Sequence, residues 1–209
     1  MFKRVAGLAM GLFLLAAGNL SAQVAWDAPL LVAPQAGSGT GILLMEAAAG
    51  DVGVMGTWRT ARGAGSLGFR VGIAEDWRGD VGVFGGVDFA GAITRANRDF
   101  PLDVSWIVGG GLGIGDDLFL AFPFGISAGH TFKGDGVDFT PYLSPRVILD
   151  AYSWRDFRGD RHNDLELNFA ADIGLDIGFQ QGWTIRFGLT FGDLFQRSDR
   201  DALAIGIVF

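Results

Sequence analysis

The sequence predicts an all-β fold: a transmembrane antiparallel up-and-down β-barrel of about ten strands, with eight as the alternative count. Three observations carry that prediction. Apolar residues recur at every second position through most of the chain, as in Leu165, Leu167, Phe169, Ala171, Ile173, Leu175, Ile177 and Phe179. The mean hydropathy is positive, yet beyond residue 22 no apolar run approaches the roughly 18 residues that a membrane helix needs. The faces opposite the apolar ones hold Gly, Ala, Ser and Thr with scattered Asp and Arg, and Lys133 is the sole lysine after Lys3. A soluble barrel turns its apolar face inward and covers its exterior with Lys and Glu. Here the polar face has side chains too small, and too little lysine, for a solvated exterior. It reads as a crowded lumen, and the apolar face as the surface toward lipid.

The N-terminus comes first. Lys3 and Arg4 precede an apolar run from Val5 to Ala17 and small residues ending at Ala22, the three-part pattern of a secretory signal peptide over residues 1–22. Residues 23–40 are expected as an N-terminal periplasmic segment and residues 41–209 as the barrel domain. The chain has no Cys, which excludes a disulfide framework and a lipid-carrying cysteine at the cleavage site. Without Lys3 and Arg4 the chain carries 14 basic against 23 acidic residues, a net charge of −9. That balance excludes a nucleic-acid partner, which needs a basic surface.

Ten segments follow in order, divided by Gly, Asp and Arg turns. The first two, Gly41 to Ala48 and Asp51 to Arg59, flank a tight Gly50-Asp51 turn. Ser66 to Glu75 aligns Leu67, Phe69, Val71 and Ile73, and Asp80 to Ile93 aligns Val81, Val83, Val87 and Phe89. Leu102 to Ile114 places Leu102, Val104, Trp106, Val108, Leu112 and Ile114 on one face. Leu118 to Phe132, Val137 to Tyr152, the stretch from Asn163 to Phe179, Trp183 to Phe191 and the terminal DALAIGIVF complete the set. Most of these lengths reach or exceed the roughly 9–11 residues of a tilted membrane strand. Trp58, Trp77, Trp154 and Trp183 fall at strand ends, where interfacial aromatic girdles lie.

The signal peptide, the alternating segments and the closing Leu203, Ile205, Ile207 and Phe209 together resemble the small outer-membrane β-barrels of bacteria, of the OmpX, OmpW and OmpA-domain type. The resemblance covers Gly41 to Phe209 at the level of pattern. It implies an outer-membrane location and a terminal strand that serves as an assembly signal. It also implies the barrel-assembly machinery and periplasmic chaperones as partners in biogenesis, and outer-membrane lipids with lipopolysaccharide as surroundings. If both termini are periplasmic, as the resemblance implies, the connections Asp76 to Gly79, Gly115 to Asp117, Ser153 to His162 and Gly192 to Arg200 are external.

Strand parity then predicts a charged lumen of Glu46, Arg59, Arg70, Asp88, Asp103, Arg146, Asp150, Glu166, Asp172, Asp176 and Arg186. Buried ions must be paired or hydrated, and strand order makes Arg146 and Arg186 the nearest partners for the acids of the eighth segment. Two readings follow. An interlocked set of ion pairs plugs the barrel, since eight strands leave an interior just wide enough for side chains to fill. An excess of acids over Arg instead suits a narrow cation-preferring passage. The expected role is therefore non-catalytic: a structural barrel or a narrow channel for small solutes. The alternative is a surface barrel that contacts lipopolysaccharide or a receptor through its Arg-rich loops. Arg-Gly-Asp occurs twice, at Arg78 to Asp80 and Arg158 to Asp160, but Gly-Asp is ordinary turn chemistry.

Enzymatic readings are poor. A lipid hydrolase of barrel type needs a Ser placed beside a His base, and two residues after His130 stands Phe132. Two His and no Cys make no persuasive zinc site. The acidic pairs Glu75-Asp76, Asp116-Asp117 and Asp199 with Asp201 read as solvated turns rather than calcium ligands. The run Gly109 to Gly115 has neither the spacing nor the following Lys of a phosphate loop. No metal or cofactor is expected.

Overall fold

The structure, a computed structural model, describes residues 32–35, 37–47, 51–75, 81–114, 118–155, 160–194, 198–199 and 201–209. The signal-peptide stretch and the Gly50-Asp51 turn lie outside these residues wholly or in part, as do both Arg-Gly-Asp tripeptides.

The described residues are all-β. Ten strands build the wall: β1 (Gly39–Ala47), β2 (Asp51–Arg62), β3 (Gly65–Glu75), β4 (Val81–Thr94), β5 (Asp103–Ile114), β6 (Leu118–Gly129), β8 (Val137–Arg155), β9 (Arg161–Phe179), β10 (Thr184–Leu194) and β12 (Ala202–Val208). Two short segments, β7 (Phe132–Lys133) and β11 (Ser198–Asp199), add two residues each against β8 and β10. Each wall strand pairs antiparallel with its neighbours in the chain, and β12 pairs with β1 from Ala47↔Ala202 to Gly41↔Val208, so the sheet closes. The ten-strand expectation holds, and the eight-strand alternative does not. Closure leaves no long free edge, which is how such a chain satisfies its backbone polar groups internally.

The registers also fix the tilt. Stepping from Val208 across Gly41, Thr57, Arg70, Gly86, Gly111, Ala121, Asp150 and Glu166, and continuing the β9–β10 and β10–β12 registers, the circuit returns displaced by about 12 residues. A stagger of that size on ten strands needs tilted strands, at roughly 35–45° to the axis.

Alternation decides which side chains point where. Outward positions carry exposed apolar residues: Val71 and Ile73 on β3, Val81 and Val83 on β4, Phe122 and Phe124 on β6, Leu165, Leu167 and Phe169 on β9. Trp106 lies over Gly91 of the adjacent strand, where a Cβ would collide with the indole. Away from the strand ends, inward positions are buried or half-buried. Three tight connections on the rim that carries the termini use glycines at positive φ, Gly63, Gly136 and Gly182, the conformation that glycine adopts without steric cost.

The inner face is more apolar than its sequence suggests. Toward the rim opposite the termini, Leu43, Met45, Met55, Ala74, Phe84 and Ala204 form one buried cluster, and Phe119, Ala121, Ile148 and Ala170 form another with Tyr152 against it. These side chains are buried within this half of the barrel. The β8–β9 hairpin is also longer than its alternation indicates. Among the described residues its ladder continues to Arg155↔Arg161, beyond the last β6 partner at Leu118↔Ser153 and the last β10 partner at Gly192↔Ala170.

Candidate functional site

The lumen holds a layer of ion pairs, one of which reaches across an intervening strand while the others join adjacent strands. Arg59 of β2 pairs with Asp88 of β4 and also donates to the Ser66 hydroxyl at 2.9 Å. The strand between them presents Gly68, and a Cβ there would fall on the Arg59 guanidinium and the Asp88 carboxylate. Arg70 is buried nearby, its Nε 2.9 Å from where a Cβ on Gly86 would stand. Glycine on the inner face is thus the space in which these side chains lie.

On the other side of the barrel the acids of β9 meet cations from both neighbours. Arg146 of β8 pairs with Asp172 at 2.5 Å, with both side chains almost wholly buried, and Asp172 also accepts from the Thr190 hydroxyl at 2.7 Å. Arg186 of β10 grips Asp176 with two hydrogen bonds, 2.7 Å from Nε and 2.6 Å from Nη2. This is the fork geometry that guanidinium and carboxylate share. Asp150 accepts from the Asn168 amide at 2.7 Å. The Tyr142 ring crosses Gly174, where a Cβ would penetrate it.

The third group sits at the termini-side mouth. Asp103 of β5 accepts from the Gln35 side-chain amide, and from the Ala96 backbone N–H at 3.1 Å. The Arg95 guanidinium stands 3.9 Å from the same carboxylate and donates to the Pro34 carbonyl at 3.0 Å. Val32, Ala33 and Pro34 are buried, Val32 in a cluster with the inward Ala90 and Ile107. Val32–Gln35, the described residues of the expected N-terminal segment nearest this mouth, therefore lie against the inner wall.

Of the sequence-predicted lumen charges, Arg59, Arg70, Asp88, Asp103, Arg146, Asp150, Asp172, Asp176 and Arg186 lie on the inner face in these three groups. Glu166 alternates with them on β9 and is half-buried opposite Asp150. Glu46 is the correction. It shares the outer face of β1 with Ile42 and Leu44 and is exposed, while Leu43 and Met45 point inward. The alternation of β1 puts apolar residues on both faces, so parity there had no polar side to follow.

Other singled-out residues fall outside the lumen groups. His130 follows the end of β6 at the termini-side rim, its ring edge-on to Phe132 at 4.7 Å, and its backbone N–H donates to the Pro141 carbonyl at 3.3 Å. Phe209 ends the chain with an exposed ring, and its backbone exchanges two hydrogen bonds with Thr40 at 2.9 and 2.7 Å. Among residues that the sequence did not single out, Gln35, Arg95 and Val32 complete the mouth, and Phe84, Phe119 and Ile148 fill the opposite half. Comparison with family models and with curated proteins finds no match for this chain.

Proposed function

We propose that this chain is a non-catalytic bacterial outer-membrane β-barrel whose filled lumen gives it a structural role in the envelope rather than that of an open pore. One observation carries the reading: the barrel is inverted relative to a water-soluble one. Its outward positions are apolar and carry exposed side chains on nine of the ten wall strands, β10 having Ile185, Phe187 and Phe191 partly exposed and Leu189 buried, while its inner face holds paired ions and hydroxyls. A continuous apolar girdle far exceeds the few hundred Å² that a soluble monomer exposes. In lipid the same girdle costs nothing, and the lumen ions are paired away from it.

The OmpX, OmpW and OmpA-domain likeness supports the same placement. On this reading the chain is exported by residues 1–22, carried by periplasmic chaperones and inserted by the barrel-assembly machinery through Leu203, Ile205, Ile207 and Phe209. Two apolar clusters, a layer of ion pairs and an occupied mouth argue for a sealed interior. The test is planar-bilayer recording of refolded protein whose folded form is verified by heat-modifiable migration. A sealed lumen gives no discrete conductance; regular cation-selective steps that diminish in Asp172→Asn with Asp176→Asn would establish the narrow-channel reading instead.

A second reading rests on the β8–β9 hairpin, whose ladder continues past both neighbours among the described residues. Arg161 and His162 are exposed there, positioned for lipopolysaccharide phosphates, which guanidinium binds well. Loss of lipopolysaccharide co-purification in Arg161→Ala supports it, and unchanged co-purification removes it.

A further inference from the structure

Most cations of the described residues have partners. Arg59, Arg146 and Arg186 are held in ion pairs within the lumen, Arg95 donates to the Pro34 carbonyl and Arg161 to the Ser153 hydroxyl. Arg62 and Arg98 differ: both are exposed, and neither makes an ion pair or a side-chain hydrogen bond among the described residues. Lys133 is also exposed, but it alternates with the outward Phe132 and so falls on the lumen side.

Arg62 and Arg98 share one stretch of the termini-side rim. Arg62 ends β2, and Arg98 lies in the connection from β4 to β5. The turn after Arg62 abuts the end of β4, where the Ala92 backbone N–H donates to the Ala64 carbonyl at 3.4 Å. Asn97 closes the turn that carries Arg98, its side-chain oxygen accepting from the Asp99 and Phe100 backbone N–H groups at 2.9 Å each. Arg62 has the outward phase of Trp58 and Thr60 on β2, and Trp58 stacks on Phe69 with ring centroids 5.3 Å apart. Both rings are exposed, as are Ile93 and Phe100 beside them. Such amphipathic rings settle at headgroup level, and the two guanidinium groups follow them at the edge of the apolar surface. Asp99 is the exposed carboxylate of this stretch, since Asp103 is buried. The opposite rim has the reverse balance among the described residues, exposing Glu46, Glu75, Asp160 and Asp164 against Arg161.

We propose that Arg62 and Arg98 form a binding surface for anionic phospholipid headgroups in the leaflet at the termini-side rim. Guanidinium offers paired N–H donors to a phosphate, and the carboxylates of the other rim repel the same headgroups there. The inference rests on the membrane placement proposed above and adds to it a lipid class and a side.

The chain has no Cys, so one introduced thiol reports one position. Thr60→Cys lies between Trp58 and Arg62 on the outer face of β2. Ile73→Cys lies on the outer face of β3 beside Glu75, toward the other rim. Each full chain carries a bimane label in vesicles of phosphatidylglycerol and phosphatidylcholine in equal amounts, with bromine on one lipid or on the other. At Thr60 the quenching is expected to correspond to an affinity about fivefold higher for phosphatidylglycerol, the order that one Lys or Arg contributes at an anionic surface. At Ile73 the ratio stays near one. The Thr60 preference is expected to vanish in Arg62→Gln with Arg98→Gln. It also vanishes with both arginines present in about 1 M salt, where the Debye length is about 3 Å. Quenching at both sites with a ratio near one at Thr60 overturns the proposal and leaves the membrane placement standing. A preference that survives the double change overturns the assignment to these two arginines. No quenching by either lipid at either site overturns the membrane placement, and the proposal with it.

Discussion

Arg59 and Asp88 form an ion pair although a whole strand lies between them, and they meet over Gly68 of that strand. The relation couples three adjacent strands through one missing side chain. It also explains why glycine and charge share the inner face here: the Arg59 and Arg70 guanidinium groups lie where a Cβ on Gly68 or on Gly86 would stand.

Gly68→Val is therefore expected to destabilise the barrel strongly. The new side chain displaces a buried pair, whose disruption costs about 3–5 kcal/mol, and adds overpacking of roughly 1–3 kcal/mol. Gly56→Ala is the control, because its Cβ meets only the Val71 carbonyl oxygen at an ordinary 3.8 Å. Urea unfolding followed by heat-modifiable migration separates the two. A Gly68→Val midpoint close to that of the control contradicts the crossing pair as a stabilising element.

At the other cluster, Asp172→Asn leaves Arg146 buried beside a neutral partner and is expected to cost about 3–5 kcal/mol. Asp176→Asn is expected to cost less than Asp172→Asn, since the Arg186–Asp176 pair keeps more solvent exposure than the Arg146–Asp172 pair. The double change Arg146→Met with Asp172→Leu is expected to recover much of the loss, because both members of the buried pair are replaced together by apolar side chains. Unfolding midpoints of the four proteins check the order. A double variant weaker than Asp172→Asn sinks this account of the cluster.

How much of this was legible in the sequence varies by strand. β9 alternates without interruption, so its outward face and its pairing with Arg146 and Arg186 follow from strand order alone. β1 is apolar on both faces, and nothing local tells Glu46 which side to take; only the register with β2 and β12 does. Phe84, Phe119 and Ile148 escaped notice because one bulky apolar residue on a small-residue face does not disturb the pattern of the other face. The hairpin tip Arg161–Asp164 is polar on both faces, so alternation stops while the backbone ladder continues. The mouth segment has no period at all, and its burial is set by Ala90, Ile107 and Asp103, more than fifty residues away in the chain.

Phe209 has two separable roles. Its backbone hydrogen bonds to Thr40 close the seam, while its ring points outward and is exposed. Phe209→Ala is expected to lower outer-membrane assembly in cells several-fold while refolding in detergent stays near normal, since exposed-site changes stay within about 0.5 kcal/mol. Deleting Phe209 is expected to impair both. Fractionation beside in vitro refolding checks this, and full assembly of Phe209→Ala removes the ring from the assembly signal.

The placement of the outer face in lipid is tested most directly by a single-cysteine series from Leu165 to Ile177, each site carrying a polarity-sensitive fluorophore in liposomes with brominated lipid. The account predicts that quenching alternates with period two, strong at Leu167, Phe169 and Ile173 and weak at Asn168, Ala170 and Asp172. Uniform quenching, or the opposite phase, would contradict it.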